Sequence, residues 1–419
     1  MKLKHGTLAM ILAGGRVDEL NVLTYYRPKS AVPFGGLYRI IDFSLSNLMN
    51  SGLERVAILS QYRNFSLINH IGSSAAWDMV GRNRGISILP PFKGSEKSSW
   101  YRGSADAVAQ NLDFVRYHHP EVILILSGDH VYHMDYRQII EYHRGNEADL
   151  TIGFVPVAPE KSHRFGVATL DGEDGSPGGR VLEYREKPEK SSCNWASMTV
   201  FCFRPEVLYE ELSREVEGRE NFEFGRDIIP RMVAEGRRIF GYKYFDYWGY
   251  TRTVEEYWQT SMDLLGPAPR IHLEEWGLRT NLEHRAIRDY QPLRVGAGAD
   301  ISDSLIYNGC QVEGRVKRSI LFPGVKVGRG ATVKDSIVFF DTSIGAEAKL
   351  DKVICDVNVV FEEACLVGRR RGESEAAATV VGWSNVIPSG ADIGAGCTLY
   401  PHLDRKRLGG CIDNGEVVK

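Results

Sequence analysis

The first residues with a spacing suited to chemistry are two glycines and a cation that follow a short apolar run. Residues 7–13 are followed at once by Gly14, Gly15 and Arg16, which predicts a buried strand, a tight loop and then a helix. Glycine lets backbone N–H groups approach a phosphate closely, and the start of a helix favours an anion. The loop is therefore a candidate phosphate site, although the same pattern also forms ordinary turns.

The segments around this loop indicate an α/β domain that extends to about residue 265. Short apolar runs at residues 56–59, 122–126 and 150–157 alternate with longer amphipathic stretches. Buried strands separated by helical stretches are typical of a Rossmann-like domain with a mostly parallel sheet. Ligands bind such sheets at the carboxyl ends of the strands, and Asp129 stands just after the end of the second run.

A different repeat begins after about residue 295. Residues 266–269 read Gly-Pro-Ala-Pro, as a linker would, and aliphatic residues later recur at every sixth position, as at Val327 and Val333. This hexapeptide spacing predicts a left-handed parallel β-helix whose coils stack their apolar corners, with a β-sandwich as the alternative. The predicted domains are residues 1–265 and 296–419, joined by a linker at 266–295.

Composition excludes several classes of function. The chain has 419 residues, 43% of them hydrophobic and 25% charged, with a net charge of −3, which suits two packed domains and argues against binding of nucleic acid or anionic membranes. No segment reaches the roughly 20 apolar residues that a transmembrane helix needs. Seven scattered cysteines without metal-binding or disulfide spacing favour a reducing, cytoplasmic location.

Further motifs occur in one order over nearly the whole chain. They are RPKSAVPFGG at residues 27–36, RIIDF at 39–43, SN at 46–47, WYRGSADAV at 100–108, QN at 110–111, GDH at 128–130, FGV at 165–167, EKP at 186–188, ASM at 196–198 and FGRDIIP at 224–230. With the opening loop they resemble the bacterial type of ADP-glucose pyrophosphorylase, the glucose-1-phosphate adenylyltransferase of glycogen and starch synthesis. That family also has a β-helix where this chain has its hexapeptide repeats.

The resemblance implies a nucleotidyltransferase domain in which glucose 1-phosphate attacks the α-phosphate of ATP, giving ADP-glucose and pyrophosphate. Such a transfer needs cations around the phosphates and a metal held by carboxylates. By analogy, Arg16 and Lys29 would face the phosphates, and Asp129 would be a ligand of Mg²⁺. Capping of the next helix is the alternative role of Asp129.

The resemblance also implies two groups of binding residues. Those expected at the nucleotide are Gly14, Gly15, Gln61 and Gly103, and those expected at the sugar phosphate are Tyr101, Gly166, Glu186, Lys187, Ser197 and Trp248. Lys187 would clamp the phosphate, whereas Glu186 and Ser197 would bind sugar hydroxyls. A lysine between a glutamate and a proline is otherwise an ordinary solvated turn.

The chain departs from the family pattern next to the opening loop. Glu19 stands where the family has an arginine that neutralises the leaving pyrophosphate, and Val17 replaces a glycine. A β-branched side chain obstructs the close backbone approach that glycine permits. The resemblance therefore implies weakened binding of pyrophosphate at this position.

A second departure lies at residues 247–253, which read Tyr-Trp-Gly-Tyr-Thr-Arg-Thr where the family reads Tyr-Trp-Arg-Asp-Val-Gly-Thr. Tyr250 thus replaces the aspartate that would share the metal with Asp129, and one carboxylate fixes the geometry of a metal less well than a pair does. Asp246 would need a change of register to substitute. Milder departures are Thr199 for glycine, Phe201 for tyrosine and Glu223 for aspartate.

These departures are concentrated at the metal and pyrophosphate positions. We therefore expect a regulatory or catalytically impaired subunit that assembles with an active paralogue, with little or no activity alone. The alternative is an active adenylyltransferase in which Arg16, Lys29 or Asp246 compensates. A third hypothesis is an acyltransferase whose active site lies on the β-helix, with His402 as its catalytic histidine.

Basic residues suggest a regulatory site as well. Arg39 and the run Arg369, Arg370 and Arg371 are candidates for an anionic effector such as phosphate or a sugar phosphate, although charged runs are often solvated surface. The resemblance further implies a homo- or hetero-tetramer, ligands of the glucose 1-phosphate, ATP and ADP-glucose type, and neither a nucleic acid nor a membrane as partner.

Overall fold

The computed structural model describes residues 6–15, 17–82, 84–91, 100–172, 175–190, 193–214, 221–370, 372–373 and 375–419. These residues form two compact units. The first unit draws on Met1–Gly15, Phe43–Asn64 and Ser73–Trp248, and the second on Arg16–Asp42, Phe65–Gly72 and Gly249–Lys419. Each unit has its own hydrophobic core. The domain boundary near residue 265 stays a prediction.

A ten-stranded sheet forms the centre of the first unit within the described residues. In spatial order its strands are Gly166–Asp171, Gly178–Glu186, Ile239–Lys243, Leu150–Pro156, Trp195–Phe203, Val122–Ser127, Thr7–Leu12, Arg55–Leu59, Arg84–Leu89 and Val80–Gly81. Thr7–Leu12 pairs in parallel with both of its neighbours. Consecutive residues of a strand point to opposite faces, and residues 122–126 are all buried, so this part of the sheet is covered on both sides. The predicted strands are confirmed.

The other half of this sheet is largely antiparallel, so the sheet as a whole is mixed. Trp195–Phe203 runs antiparallel to Val122–Ser127 and to Leu150–Pro156, and Gly166–Asp171 runs antiparallel to Gly178–Glu186. The short connection between Asp171 and Gly178 permits the last of these antiparallel pairings. Gly166–Asp171 also pairs with Trp195–Phe203, so three predicted sugar-phosphate motifs lie on strands that pair with one another.

The described helices lie in both units. The α-helices are Ile41–Asn50, Phe65–Ile71, Ser104–Ala109, Leu112–His118, Tyr136–Gly145, Pro205–Ser213, Ile229–Ala234 and Val254–Met262. Short 3₁₀ segments are Asp18–Thr24, Lys29–Ala31, Ala75–Trp77, Pro159–Arg164, His284–Asp289 and Arg405–Arg407, and Phe224–Ile228 forms one π-helical turn. No helix in the described part of the chain is both long and apolar enough to span a membrane.

The second unit contains the parallel β-helix that the hexapeptide spacing predicts. Its three sheets consist of Arg294–Val295, Gln311–Val312, Lys326–Val327, Ser343–Ile344, Val360–Phe361 and Val386–Ile387; of Asp300–Ser302, Arg315–Lys317, Thr332–Lys334, Lys349–Asp351, Leu366–Gly368, Asp392–Ile393 and Cys411–Ile412; and of Leu305–Ile306, Ile320–Leu321, Ile337–Val338, Val353–Cys355, Thr379–Val381, Thr398–Leu399 and Val417–Val418. All pairings are parallel among these strands, and Val316, Val333 and Leu350 stack in register and are buried. The apolar sixth positions thus form the core, as expected.

Two short pairs of strands complete the described elements. Pro33–Phe34 pairs with Tyr38–Arg39 in the second unit, and the short strands His130–Tyr132 and Trp248–Tyr250 overlap two of the segments that carry predicted site residues. The helix Val254–Met262 begins with a capping box formed by Thr253 and Glu256, which fixes its start directly after the segment that departs from the family pattern.

Candidate active site

The candidate site residues are divided between the two units. Gly14 and Gly15 follow the strand Thr7–Leu12 in the first unit. A side chain at Gly14 would lie 3.3 Å from the backbone nitrogen of Gln61, whereas at Gly15 nothing lies within 4 Å. The loop is therefore packed on one side and open on the other, as a ligand-binding turn requires. Arg16 lies outside the described residues.

Gln61 and Tyr101 form the wall beside this loop. The Gln61 side-chain oxygen accepts a hydrogen bond of 2.7 Å from the backbone nitrogen of Tyr101. The Tyr101 hydroxyl donates to the Leu89 carbonyl at 2.9 Å and accepts from Asn111 at 3.0 Å. These two hydrogen bonds hold the ring in place, and burial raises the pKa of the Tyr101 hydroxyl. The structure thus brings Gly14, Gln61 and Tyr101 together.

The backbone conformation at position 103 requires a glycine. Its φ of +151° lies where side chains are disfavoured, and an added Cβ would overlap the Phe222 carbonyl oxygen. The helix that follows is anchored by Asp106, which is buried and accepts hydrogen bonds of 2.8 Å from the backbone and the guanidinium of Arg102 and from Gln110. Sequence reasoning assigned no role to Asp106, although its place three residues after a glycine suits a residue that organises a loop.

Asp129 lies at the end of a buried strand, at the edge where the first unit would bind its ligand. Its side chain is 27% exposed, accepts a hydrogen bond from the Ser127 hydroxyl and lies 3.3 Å from the His130 imidazole. The His130 ring in turn packs edge-on against Trp248 at 5.1 Å. Asp129 is therefore a positioned and accessible carboxylate, and its cap role finds no support because Asp135 caps the next helix.

The donor set around Asp129 fits a magnesium ion only in part. Among the described residues, no three His, Cys, Asp or Glu side chains are grouped as a metal would need. Magnesium is held by one or two carboxylates when phosphate oxygens and water complete its shell. Asp129 would therefore hold Mg²⁺ only together with a phosphate ligand. Asp246, the predicted substitute, is exposed and precedes the strand Trp248–Tyr250.

The predicted sugar-phosphate residues converge on one hydrogen-bonded group. Tyr184 donates to Glu186 at 3.1 Å and also interacts with the Ser197 hydroxyl. Burial raises the pKa of Glu186 above its ordinary value, against the lowering effect of the Lys187 charge. Any Cβ at Gly166 would overlap the Tyr184 hydroxyl. Tyr184, which sequence reasoning missed, therefore orders Glu186 and Ser197, and Gly166 gives it room.

Lys187 and Trp248 lie at the border of this group. The Lys187 ammonium is 3.8 Å from Glu186 and its side chain is 47% exposed. Its backbone is left-handed, with φ of +46°, and donates to the Phe165 carbonyl. A non-glycine residue in this region is strained and is frequent at binding sites. Phe165 also packs edge-on against Trp248 at 5.4 Å, so one residue positions both.

The departure at Thr199 has a structural cost. Thr199 replaces a family glycine and keeps a left-handed backbone with φ of +54°, at an irregularity in the pairing between Ser197 and Phe201. For a β-branched residue this conformation is an outlier. The bulge that positions Ser197 is therefore preserved although the residue that favours it is lost.

In the second unit, the remaining candidates form one line of contacts. The Lys29 ammonium lies 5.2 Å from the centre of the Tyr250 ring, and the Tyr250 hydroxyl interacts with Arg252. The guanidinium Nε of Arg252 donates to the Glu19 carboxylate at 3.0 Å. The departures at residues 19 and 250 are thus connected through Arg252, which sequence reasoning did not single out.

Electrostatics keeps Arg252 charged within this line of contacts. Burial by itself would lower the pKa of Arg252, but the hydrogen bonds and charges of Tyr250 and Glu19 raise it above its ordinary value. Glu19 lies in the 3₁₀ segment Asp18–Thr24, which is kinked at Asn21 and tied back by a hydrogen bond from Thr24 to the Val17 carbonyl. The segment therefore presents Glu19 to Arg252.

The basic residues predicted for an effector have different surroundings. Arg369 pairs with Asp335 and Asp351, and Arg370 with Asp392, while Arg371 lies outside the described residues. Arg39 instead lines a cavity of about 140 Å³ in the second unit, shared with Arg27 and Trp383. The structure therefore separates Arg39 from the ion pairs of the later run.

Comparison with known proteins agrees with this architecture. Residues 8–266 match the nucleotidyl transferase family, and residues 294–383 match the GlmU-like C-terminal hexapeptide family. The first match covers the sheet of the first unit and its candidate residues, and the second covers most coils of the β-helix. Fold and family matches thus define a member of the nucleotidyl transferase family with a hexapeptide-repeat domain.

Several relatives resemble the chain over most of its length. The glucose-1-phosphate adenylyltransferase of Desulfitobacterium hafniense (strain Y51) is 38% identical over 94% of this chain and 98% of its own. That of Acetivibrio thermocellus is 37% identical over 96% and 94%, and that of Thermotoga sp. (strain RQ2) is 41% identical over 77% and 75%. The chain belongs to the glucose-1-phosphate adenylyltransferase family.

The strain at Thr199 gives a first prediction. Thr199→Gly should stabilise the chain by about 1 kcal/mol, because relief of the left-handed backbone outweighs the added freedom of the unfolded chain. Thr332→Gly, on the regularly paired strand Thr332–Lys334, is the matched control and should destabilise. Urea unfolding at equilibrium measures both, and a loss of stability in Thr199→Gly equal to that of the control would contradict the assignment.

Proposed function

We propose that this chain is a catalytically impaired member of its family that regulates an active adenylyltransferase subunit. The active subunit would convert ATP and glucose 1-phosphate into ADP-glucose and pyrophosphate. The observation that carries the proposal is the ion pair between Glu19 and Arg252, together with Tyr250 in place of a metal-binding aspartate. Both changes weaken the groups that would bind the phosphates and the metal.

The magnitude of the electrostatic effect supports impairment. A carboxylate about 4 Å from a phosphate charge costs about 1 kcal/mol in water and about 4 kcal/mol at an effective dielectric of 20. Loss of one cationic donor to the transition state lowers a rate by roughly 10² to 10³. Arg252 does not offset this loss while its charge is paired with Glu19.

The sugar-phosphate side supports retained binding. Glu186, Ser197 and Lys187 keep an ordered arrangement around Tyr184, which a site without any ligand would not need. We therefore propose that glucose 1-phosphate or the sugar nucleotide still binds. Magnesium would enter with a phosphate ligand at Asp129 and would be held more weakly than by two carboxylates.

Assembly is the second half of the proposal. A subunit that binds substrate without turning it over affects flux only through an active partner, so we propose a cytoplasmic hetero-tetramer with a catalytic paralogue. The alternative is an active homo-tetramer in which Lys29 compensates. The contact of Lys29 with Tyr250 favours the first arrangement, because it draws the ammonium towards a protein ring.

The proposal predicts little turnover by the chain alone. With Mg²⁺, ATP and glucose 1-phosphate, pyrophosphate release should be about 10² to 10³ slower than that of an active relative. A coupled pyrophosphate assay measures the rate, and co-expression with a paralogue should alter the partner's activity or its effector response. Turnover of the isolated chain within tenfold of the relative would contradict impairment.

An effector site is a second proposed function of the second unit. Arg27 is buried in the cavity that Arg39 lines, pairs through one terminal nitrogen with Asp356 at 2.9 Å, and stacks over Trp383 at 5.6 Å. Its other terminal nitrogen has no hydrogen-bond partner among the described residues. Buried donors need partners, and an anion such as phosphate or a sugar phosphate would supply one.

A conservative change tests this site. Arg27→Lys keeps the charge beside Asp356 but removes the forked donor, so the affinity for inorganic phosphate should fall by about tenfold. Arg370→Lys is the control, because Arg370 pairs with Asp392 and does not line the cavity. Calorimetric titration measures both variants, and equal affinities in the wild type and Arg27→Lys would remove this proposal.

A further inference from the structure

The ion pair of Glu19 and Arg252 suggests a role for residues that the family pattern leaves unexplained. Three departures lie in one set of contacts: Glu19 for arginine, Tyr250 for aspartate and Arg252 for glycine. The family pattern already places residues 19 and 250 on the phosphate side of the site, but it has a glycine rather than a cation at position 252. Arg252 and Glu19 are both absent from the family pattern, and each neutralises the charge of the other, as compensating substitutions do.

We infer that Glu19 is a specificity-determining residue that excludes pyrophosphate and triphosphate groups by occupying Arg252 with an internal carboxylate. The Glu19 carboxylate takes the place of the ligand oxygen that would otherwise accept from the guanidinium. This inference rests on the proposed function, because it concerns the same phosphate side of the site. It adds that the Glu19 carboxylate actively blocks the phosphate side of the site, beyond the loss of the arginine that the family has at this position.

The geometry of the Glu19–Arg252 pair allows it to compete with phosphate groups. The Nε–Oε1 distance of 3.0 Å is that of a charge-assisted hydrogen bond. The side chains of Arg252 and Glu19 are 39% and 46% exposed, so a dissolved phosphate group can reach them and must compete with the carboxylate. A competing phosphate also meets the repulsion of Glu19 itself. The pair therefore disfavours phosphate groups of high charge most strongly.

Tyr250 positions this pair. Its hydroxyl interacts with Arg252 and its ring faces the Lys29 ammonium, so one side chain contacts both cations. The 3₁₀ segment Asp18–Thr24 holds Glu19 from the other side. Two separate segments thus fix the donor and the acceptor, and removal of the carboxylate leaves Arg252 in place with its Tyr250 contact intact.

The test is a gain of binding in the full-length chain. Glu19→Gln keeps the shape of residue 19 and removes its charge, so the affinity for inorganic pyrophosphate, titrated calorimetrically without metal, should rise by at least about tenfold. Glu19→Ala should behave in the same way. Adding Arg252→Gln to Glu19→Gln should return the affinity to that of the wild type.

Two outcomes would overturn the inference. One is an unchanged affinity in both Glu19 variants, and the other is a gain that persists when Arg252→Gln is added. The readout is equilibrium binding of pyrophosphate, so it is separate from turnover. Rapid turnover by the chain would refute the proposed catalytic impairment. An unchanged affinity for pyrophosphate in the Glu19 variants would refute only the proposed role of the Glu19 carboxylate.

Discussion

The charge balance of the segments that depart from the family pattern depends on one interaction, the ion pair that joins Glu19 to Arg252, and Tyr250 contacts the same arginine. The ion pair couples a short helical segment near the start of the chain to the strand and loop that precede the helix Val254–Met262. An exposed pair of this kind contributes little to stability, so its importance lies in charge. A phosphate group needs unpaired cations, and here one cation is already matched by a carboxylate of the protein.

The first unit shows the opposite arrangement, in which binding groups are kept and ordered. Adjacent antiparallel strands align Gly166 with Glu186, and Tyr184 connects Glu186 to Ser197. The strain at Thr199 is tolerated there, which is consistent with a bulge that serves the site rather than the stability of the sheet. The contacts in the first unit support the proposed binding of sugar phosphate, and those in the second unit support the proposed loss of the chemistry of the leaving group.

Much of this could be predicted from sequence because the signals are local. The apolar run ending at Ser127 and the hexapeptide spacing define a buried strand and the β-helix, and the family resemblance identified Glu19 and Tyr250. Contacts between distant residues carry no local signal. Arg252 meets Glu19 across 233 positions, and the coils of the β-helix bring aspartates to Arg369, so a run that reads as solvated charge is an ion-pair network. The antiparallel half of the sheet was missed because strands buried on both faces lack the alternation that distinguishes pairing direction.

The central claim is that the departures at residues 19, 250 and 252 act as one unit, and restored turnover tests it most directly. Pyrophosphate release should be compared for the double variant Glu19→Arg with Tyr250→Asp and for the triple variant that adds Arg252→Gly. In the double variant two arginines face each other, so the triple variant should be faster by at least about tenfold. Equal rates in the double and triple variants would contradict the coupling of Arg252 to the other two residues.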